Sequence, residues 1–182
     1  MRVLTVAALS LLAVSCSSNA PAPGTTTAPA AGAPQVKGTL NQVMRGILFP
    51  NSNIIFDVQT NDPGRPRKET DPNDRGALAW FSNLYSGWDL VQNAAIALAE
   101  APDLIMRPGR LCTNGKPVPL DRPDFPKFAQ ALREAARAVY KAAQEKNQEK
   151  VSDLTNNIAE ACVNCHTVYR NAPPGGDRRC VP

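Results

Sequence analysis

The sequence predicts an all-α protein built as a four-helix bundle, and three observations predict it. Four stretches between residues 36 and 170 repeat apolar residues three or four apart, the period of one helix face. Nothing between a Pro/Ala/Thr-rich N-terminal segment and a Pro/Gly-rich tail reads as a sheet of several strands. Residues 36–182 are long enough for one domain in which four such helices share a core.

The first helix is expected over Val36 to Phe49, with Val36, Leu40, Val43/Met44 and Ile47/Leu48 on one face. Pro50 is expected to end or kink it, because proline lacks the N–H that the next turn needs. The "NSNIIFDVQ" that follows suits a short strand or a further helical turn, and residues 61–73, rich in Pro, Asp and Arg, read as an exposed loop. The second helix lies within Arg75 to Met106. Trp88, Val91, Ala94/Ala95, Leu98, Ala101 and Ile105 are in register there, and Gly87 sets off an aromatic turn of Trp80, Phe81 and Tyr85. Pro102 falls in its last turn, and residues 107–122 form a loop with turn signals at Pro108-Gly109 and Asn114-Gly115. The third helix has Asp124 as N-cap, Pro126 in its first turn and Asn147 as its stop, with a stripe of Phe128, Leu132, Ala135/Ala136, Val139 and Ala143. The fourth runs from about Gln148 to Arg170 on Val151, Leu154, Ile158, Ala161, Cys165 and Val168.

The N-terminus places the chain outside the cytoplasm. "MRVLTVAALSLLAVSCSS" is one arginine, a run of apolar and small residues and a cysteine, so residues 1–15 read as a secretory signal peptide. Cys16 at the cleavage point resembles the lipobox cysteine of bacterial lipoproteins, which carries lipid on the new N-terminus. Ala13-Val14-Ser15 departs from the commonest form of that box, which leaves ordinary cleavage to a soluble periplasmic protein as the alternative. Ser17 rather than Asp after the cysteine favours the outer membrane in the sorting pattern this resembles. Residues 16–35 carry no large apolar side chain and read as a disordered Ala/Pro/Thr linker. Residues 36–182 are then the functional domain.

Charge excludes some functions. The chain has 20 Lys and Arg against 16 Asp and Glu, and signal removal deletes Arg2. There is no long run of like charge, no P-loop and no Gly-rich dinucleotide fingerprint, so nothing points to nucleic acid. No paired carboxylates and no nucleophile–base motif are visible, and turnover of an organic substrate is not expected.

The chemistry is concentrated in "ACVNCHTVYR", residues 161–170, which holds two of the five cysteines and the only histidine. Cys162-x-x-Cys165-His166 is the attachment signature of a c-type haem: two thiols form thioethers and the imidazole ligates iron. On a helix, Cys162 and Cys165 lie one turn apart on one face, and His166 is displaced by one position from it. Two weaker readings remain. A zinc site would recruit Cys112 and Cys180 from distant loops, or His166. A dithiol redox site normally sits where a strand meets a helix N-terminus and gains nothing from a mid-helix histidine. With Cys16 given to lipid and Cys162 and Cys165 to haem, Cys112 and Cys180 are left, and an exported protein would join them in a disulfide.

Cys162-Val-Asn-Cys165-His166-Thr-Val-Tyr169-Arg170 resembles the C-terminal haem motif of the cytochrome c prime family, Cys-x-x-Cys-His-x-x-aromatic-Arg. The likeness extends to the four-helix layout over residues 36–170, although the haem motif is its specific part. It implies a four-helix bundle with haem c and its iron held near the C-terminus of the last helix. It also implies thioethers at Cys162 and Cys165, proximal ligation by His166, and Arg170 near the haem edge or a propionate. Arg170 serves equally to compensate the helix dipole. The interruption at Pro50 and the cysteine-bearing loop depart from the family's pattern.

Members of that family divide over the sixth iron position. Some leave it open and bind small gases such as nitric oxide; others ligate it with a methionine of the first helix and carry electrons. Met44 lies on the first helix's apolar stripe, and Met106, at a helix end, is the less favoured candidate. For either, the plain alternative is core filling. Phe56, Trp80 and Trp88 are aromatics that could pack on the porphyrin. The leading expectation is a membrane-tethered monohaem electron carrier with an unidentified redox-partner protein, and the alternative is a gas-binding haem protein. A homodimer is also compatible with the resemblance.

Overall fold

The computed structural model describes residues 35–65, 86–171 and Cys180. Residues 1–34, with the expected signal peptide and Cys16, lie outside the described residues, as do Trp80, Phe81 and Tyr85. Four helices and no strand are present among the described residues. Helix α1 is a continuous run of an α-helical stretch Leu40–Val43, a π-helical stretch Met44–Leu48 and an α-helical stretch Phe49–Asp57. It is followed by α2 (Gly87–Ile105), α3 (Phe125–Gln144) and α4 (Gln148–Tyr169). Each helix packs on the next and α4 returns to α1, closing the ring of a four-helix bundle. No described helix is long and apolar enough to cross a membrane.

Helix α1 departs from the expected Val36 to Phe49 at both ends. Its start is fixed by a capping box: the Gln42 N–H donates to the Thr39 hydroxyl (3.3 Å), and the Gln42 side-chain oxygen accepts from the Thr39 N–H (2.8 Å). Val36 therefore precedes the helix. At the other end Pro50 neither stops nor breaks it. A proline offers no N–H to the carbonyl four residues back and its ring crowds that carbonyl. The turn just upstream opens instead, so that the Phe49 N–H donates to the Met44 carbonyl five residues back. Side-chain amides take up carbonyls around this widened turn: Asn51 Nδ2 donates to Ile47 O (2.7 Å) and Asn53 Nδ2 to Phe49 O (2.7 Å). The helix then continues to Asp57, so the "NSNIIFD" stretch is helical rather than extended.

Helix α2 begins at Gly87, whose φ of +66° suits glycine, and it holds Pro102 inside its last turn. Its buried face is Val91, Ala94, Ala95, Leu98, Ala99, Ala101 and Ile105. The alanines, with Ala135, Ala136, Ala142 and Ala143 of α3, let the helix backbones approach closely. Pro126 sits in the first turn of α3 as expected. Asp124 precedes it but makes no capping hydrogen bond; its carboxylate is taken by Tyr169, as described below. Asn147 closes α3 through its N–H, which donates to Ala142 O (3.2 Å). That helix ends at Gln144, Lys146 turns the chain at φ +53°, and Asn147 caps α4 by accepting from the Lys150 N–H (2.9 Å).

The loop between α2 and α3 is tied to the start of α1. Leu40 N–H donates to Leu111 O (2.8 Å). The buried Arg110 donates through Nε to Leu104 O (2.8 Å) and through a terminal nitrogen to Gly38 O (2.7 Å). One guanidinium thus satisfies a carbonyl near the end of α2 and one just before α1. This clamp sets where α1 enters the bundle, and with it the placement of Met44.

Candidate functional site

All four helices wall a cavity of about 830 Å³. Leu40, Met44, Leu48 and Phe56 come from α1, Leu98 from α2, and Phe125 from α3. Helix α4 contributes Cys162, Cys165, His166 and Tyr169. The size falls within the range of about 300–1,000 Å³ in which pockets bury a small-molecule ligand or cofactor. Phe49 (67% exposed) and Val163 (60% exposed) stand at its walls with much of their apolar surface open to water.

The sequence-predicted residues converge here. Cys162, Cys165 and His166 are half-buried on α4, and all three open on this one cavity. Met44, on the widened turn of α1, lines the same cavity, as does Arg170 just past α4. Met106 caps the end of α2 and is not among the lining residues. Phe56 lines the cavity; Trp88 packs against the core without reaching it. The structure bonds Cys112 to Cys180 (Cα–Cα 5.6 Å), and both residues are buried in the cavity wall. A smaller void of about 30 Å³ touches Met44, Leu48, Phe128, Leu132 and His166.

The electrostatics separate the candidate chemistries. Burial pushes the Cys162 thiol above its ordinary value, opposed in part by Arg170. Burial, reinforced by Cys162 and Asp124, pushes Cys165 up to about 11. Both cysteines are free thiols held neutral, the opposite of the lowered thiolate pKa that a dithiol redox site needs. His166 is shifted down by burial and then by Arg170, so its imidazole is neutral and keeps a lone pair for a metal. Among the described residues no group of three or more His, Cys, Asp or Glu side chains is placed to hold a metal ion by itself, so the zinc reading gains no support. The donor set fits haem c: two neutral thiols one turn apart, one imidazole, and apolar walls from the other helices.

Several contributors are not evident from the sequence pattern. Arg45 lines the cavity beside Met44, although it is a charged, exposed residue flanking the apolar stripe. The Asp124 partner of Tyr169 is hidden behind a position that reads as a helix cap. Tyr169 itself is only 3% exposed and packs edge-on against Phe125 (4.9 Å between ring centroids) and Phe128 (6.2 Å).

No curated protein and no solved structure matches the chain. Residues 118–170 match the family model described as Cytochrome C'. That match covers α3, α4 and the haem motif, and it leaves α1 with Met44 outside. Together, the match and the all-helical fold of four helices are consistent with the cytochrome c prime family, which implies a covalently bound haem c with iron.

Proposed function

We propose that the protein is a monohaem c-type cytochrome that carries electrons, exported to the periplasm and tethered to a membrane through Cys16. The observation that carries the electron-transfer reading is Met44. It lies on α1 in the wall of the cavity onto which Cys162, Cys165 and His166 open. Haem c, when bound, supplies the one-electron couple of its iron. Cys162 and Cys165 would each lose an S–H across a vinyl group and form a C–S bond, which fixes the cofactor to α4. His166 offers the proximal nitrogen. Met44 offers a thioether from α1, and a histidine–methionine pair raises the potential. Phe125, Leu98 and Phe56 would exclude water from the apolar body of the cofactor. The exposed faces of Phe49 and Val163 would be covered in part once the cavity is filled.

The gas-binding reading draws on a different observation. The void of about 30 Å³ touching Met44 and His166 is apolar and has room for about one water-sized ligand. If Met44 only fills the core, a diatomic gas would have space beside the iron.

One optical experiment tests both. The protein, matured where c-type assembly works, should retain haem through denaturing electrophoresis. The oxidised form should be low-spin, and the reduced form should take up carbon monoxide slowly. Loss of haem on the gel would refute the haem reading, whereas a five-coordinate, rapidly gas-binding haem would leave it standing and favour the gas binder.

A further inference from the structure

Tyr169 does more than supply the aromatic ring of the haem motif. Its hydroxyl donates to Asp124 Oδ1 at 2.6 Å, across from the end of α4 to the start of α3. Arg122 completes the group, with Nε 3.6 Å from the same oxygen. The ring is buried in the cavity wall, while the Asp124 and Arg122 side chains are 37% and 47% exposed. Tyr169 lines the cavity together with Cys165 and His166, so the carboxylate that its hydroxyl holds lies behind the wall where the cofactor would be attached.

A carboxylate in that position cannot be neutral toward a redox centre. Negative charge beside an iron site favours the more positive, oxidised form and lowers the potential. A donor hydrogen bond and a neighbouring cation each draw that charge away. The three groups therefore act against one another: Asp124 pulls the potential down, and the Tyr169 hydroxyl and Arg122 moderate the pull. Purely mechanical struts would behave differently, because loosening any one of them would disturb the site in the same way.

On these contacts, and resting on the haem reading above, we infer that Tyr169, Asp124 and Arg122 form a positioning group. It fixes the Cys165-bearing end of α4 against α3 and tunes the reduction potential through the Asp124 carboxylate. Water reaches Asp124, so screening limits the size of the effect but not its sign.

Spectroelectrochemical titration of the haem-loaded protein and three variants tests the inference. Asp124→Asn keeps an acceptor for the Tyr169 hydroxyl but loses the charge, and the potential should rise. Tyr169→Phe keeps the buried ring but loses the donor, and the potential should fall. Arg122→Gln, which lies outside the cavity wall, should also lower it, and it serves if a buried variant fails to fold. A shift opposite to the stated one in any folded variant, or no shift in any of them, would overturn the inference while leaving the haem reading intact. Absence of covalent haem in the wild type would remove both.

Discussion

At the scale of single residues, the haem motif was fully legible because its chemistry is local. Cys162, Cys165 and His166 sit within five positions, and any helix brings them to one side. From its position Met44 is an apolar residue on a helix stripe, and only the family resemblance makes it a ligand candidate; that it shares a cavity with His166 depends on three other helices. The consequence can be measured. Met44→Ala should shift the oxidised iron toward high spin, speed carbon monoxide binding and lower the potential, since a thioether ligand is lost. An unchanged spectrum would reduce Met44 to packing. Tyr169 gives a pH prediction. Burial, then the hydrogen bond to Asp124, pushes its phenol up to about 12. A folded-state pKa raised above the unfolded value of 10.0 adds stability that is fully present below about pH 10. That stability is lost as pH rises toward about 12, so the urea midpoint should fall through this window. In Tyr169→Phe the slope over the same window should be shallower; equal slopes would show that Tyr169 titrates alike in both states.

At the scale of elements, periodicity found all four helices, and capping and backbone chemistry decided their ends. Thr39 and Gln42 carry a readable capping box, yet Val36 fits the apolar stripe and places the expected start four residues ahead of Leu40. Pro50 is the instructive case. The rule that proline ends a helix concerns the hydrogen bond it cannot make, and here the chain loosens one turn upstream and proceeds. No sequence period reports such a π turn. Asn147 serves two helices: its N–H closes α3 on Ala142 O and its side chain caps α4, and the sequence pattern points only to the first role. Its role as the α4 cap predicts a cost: Asn147→Ala should destabilise the protein by about 1 kcal/mol through the unpaired Lys150 N–H. Urea denaturation reads this directly, and Asn147→Asp should restore most of it. Loss of under a few tenths of a kcal/mol would mean that water caps α4 equally well.

At the scale of the whole molecule, the proposed layout joins an anchor, a linker and a cytochrome domain. If Cys16 is lipidated, Cys16→Ser should move the protein from the membrane fraction to the soluble one with its haem spectrum unchanged; an unmodified Cys16 in the mass of the wild type would refute the tether alone. The remaining cysteines bear on how the domain stays closed. Cys112 lies in the loop that holds the start of α1, and Cys180 lies beyond α4, where its N–H donates to the Tyr169 carbonyl. A bond between them links the entrance of the first helix to the exit of the last, on the wall of the cavity where the cofactor is proposed to sit. With the two cysteines separated by 68 positions in sequence, loop closure in the unfolded chain gives an entropic stabilisation of about 4 kcal/mol. Reducing the bond, or changing both cysteines to serine, should therefore lower the urea midpoint and loosen the haem-bearing end of α4 together. The second effect should appear as faster carbon monoxide entry, which a loss of chain entropy alone would not produce. Alkylation of the unreduced protein should label neither cysteine. Labels on both would show two free thiols, and equal gas kinetics with and without the bond would confine its role to the unfolded chain.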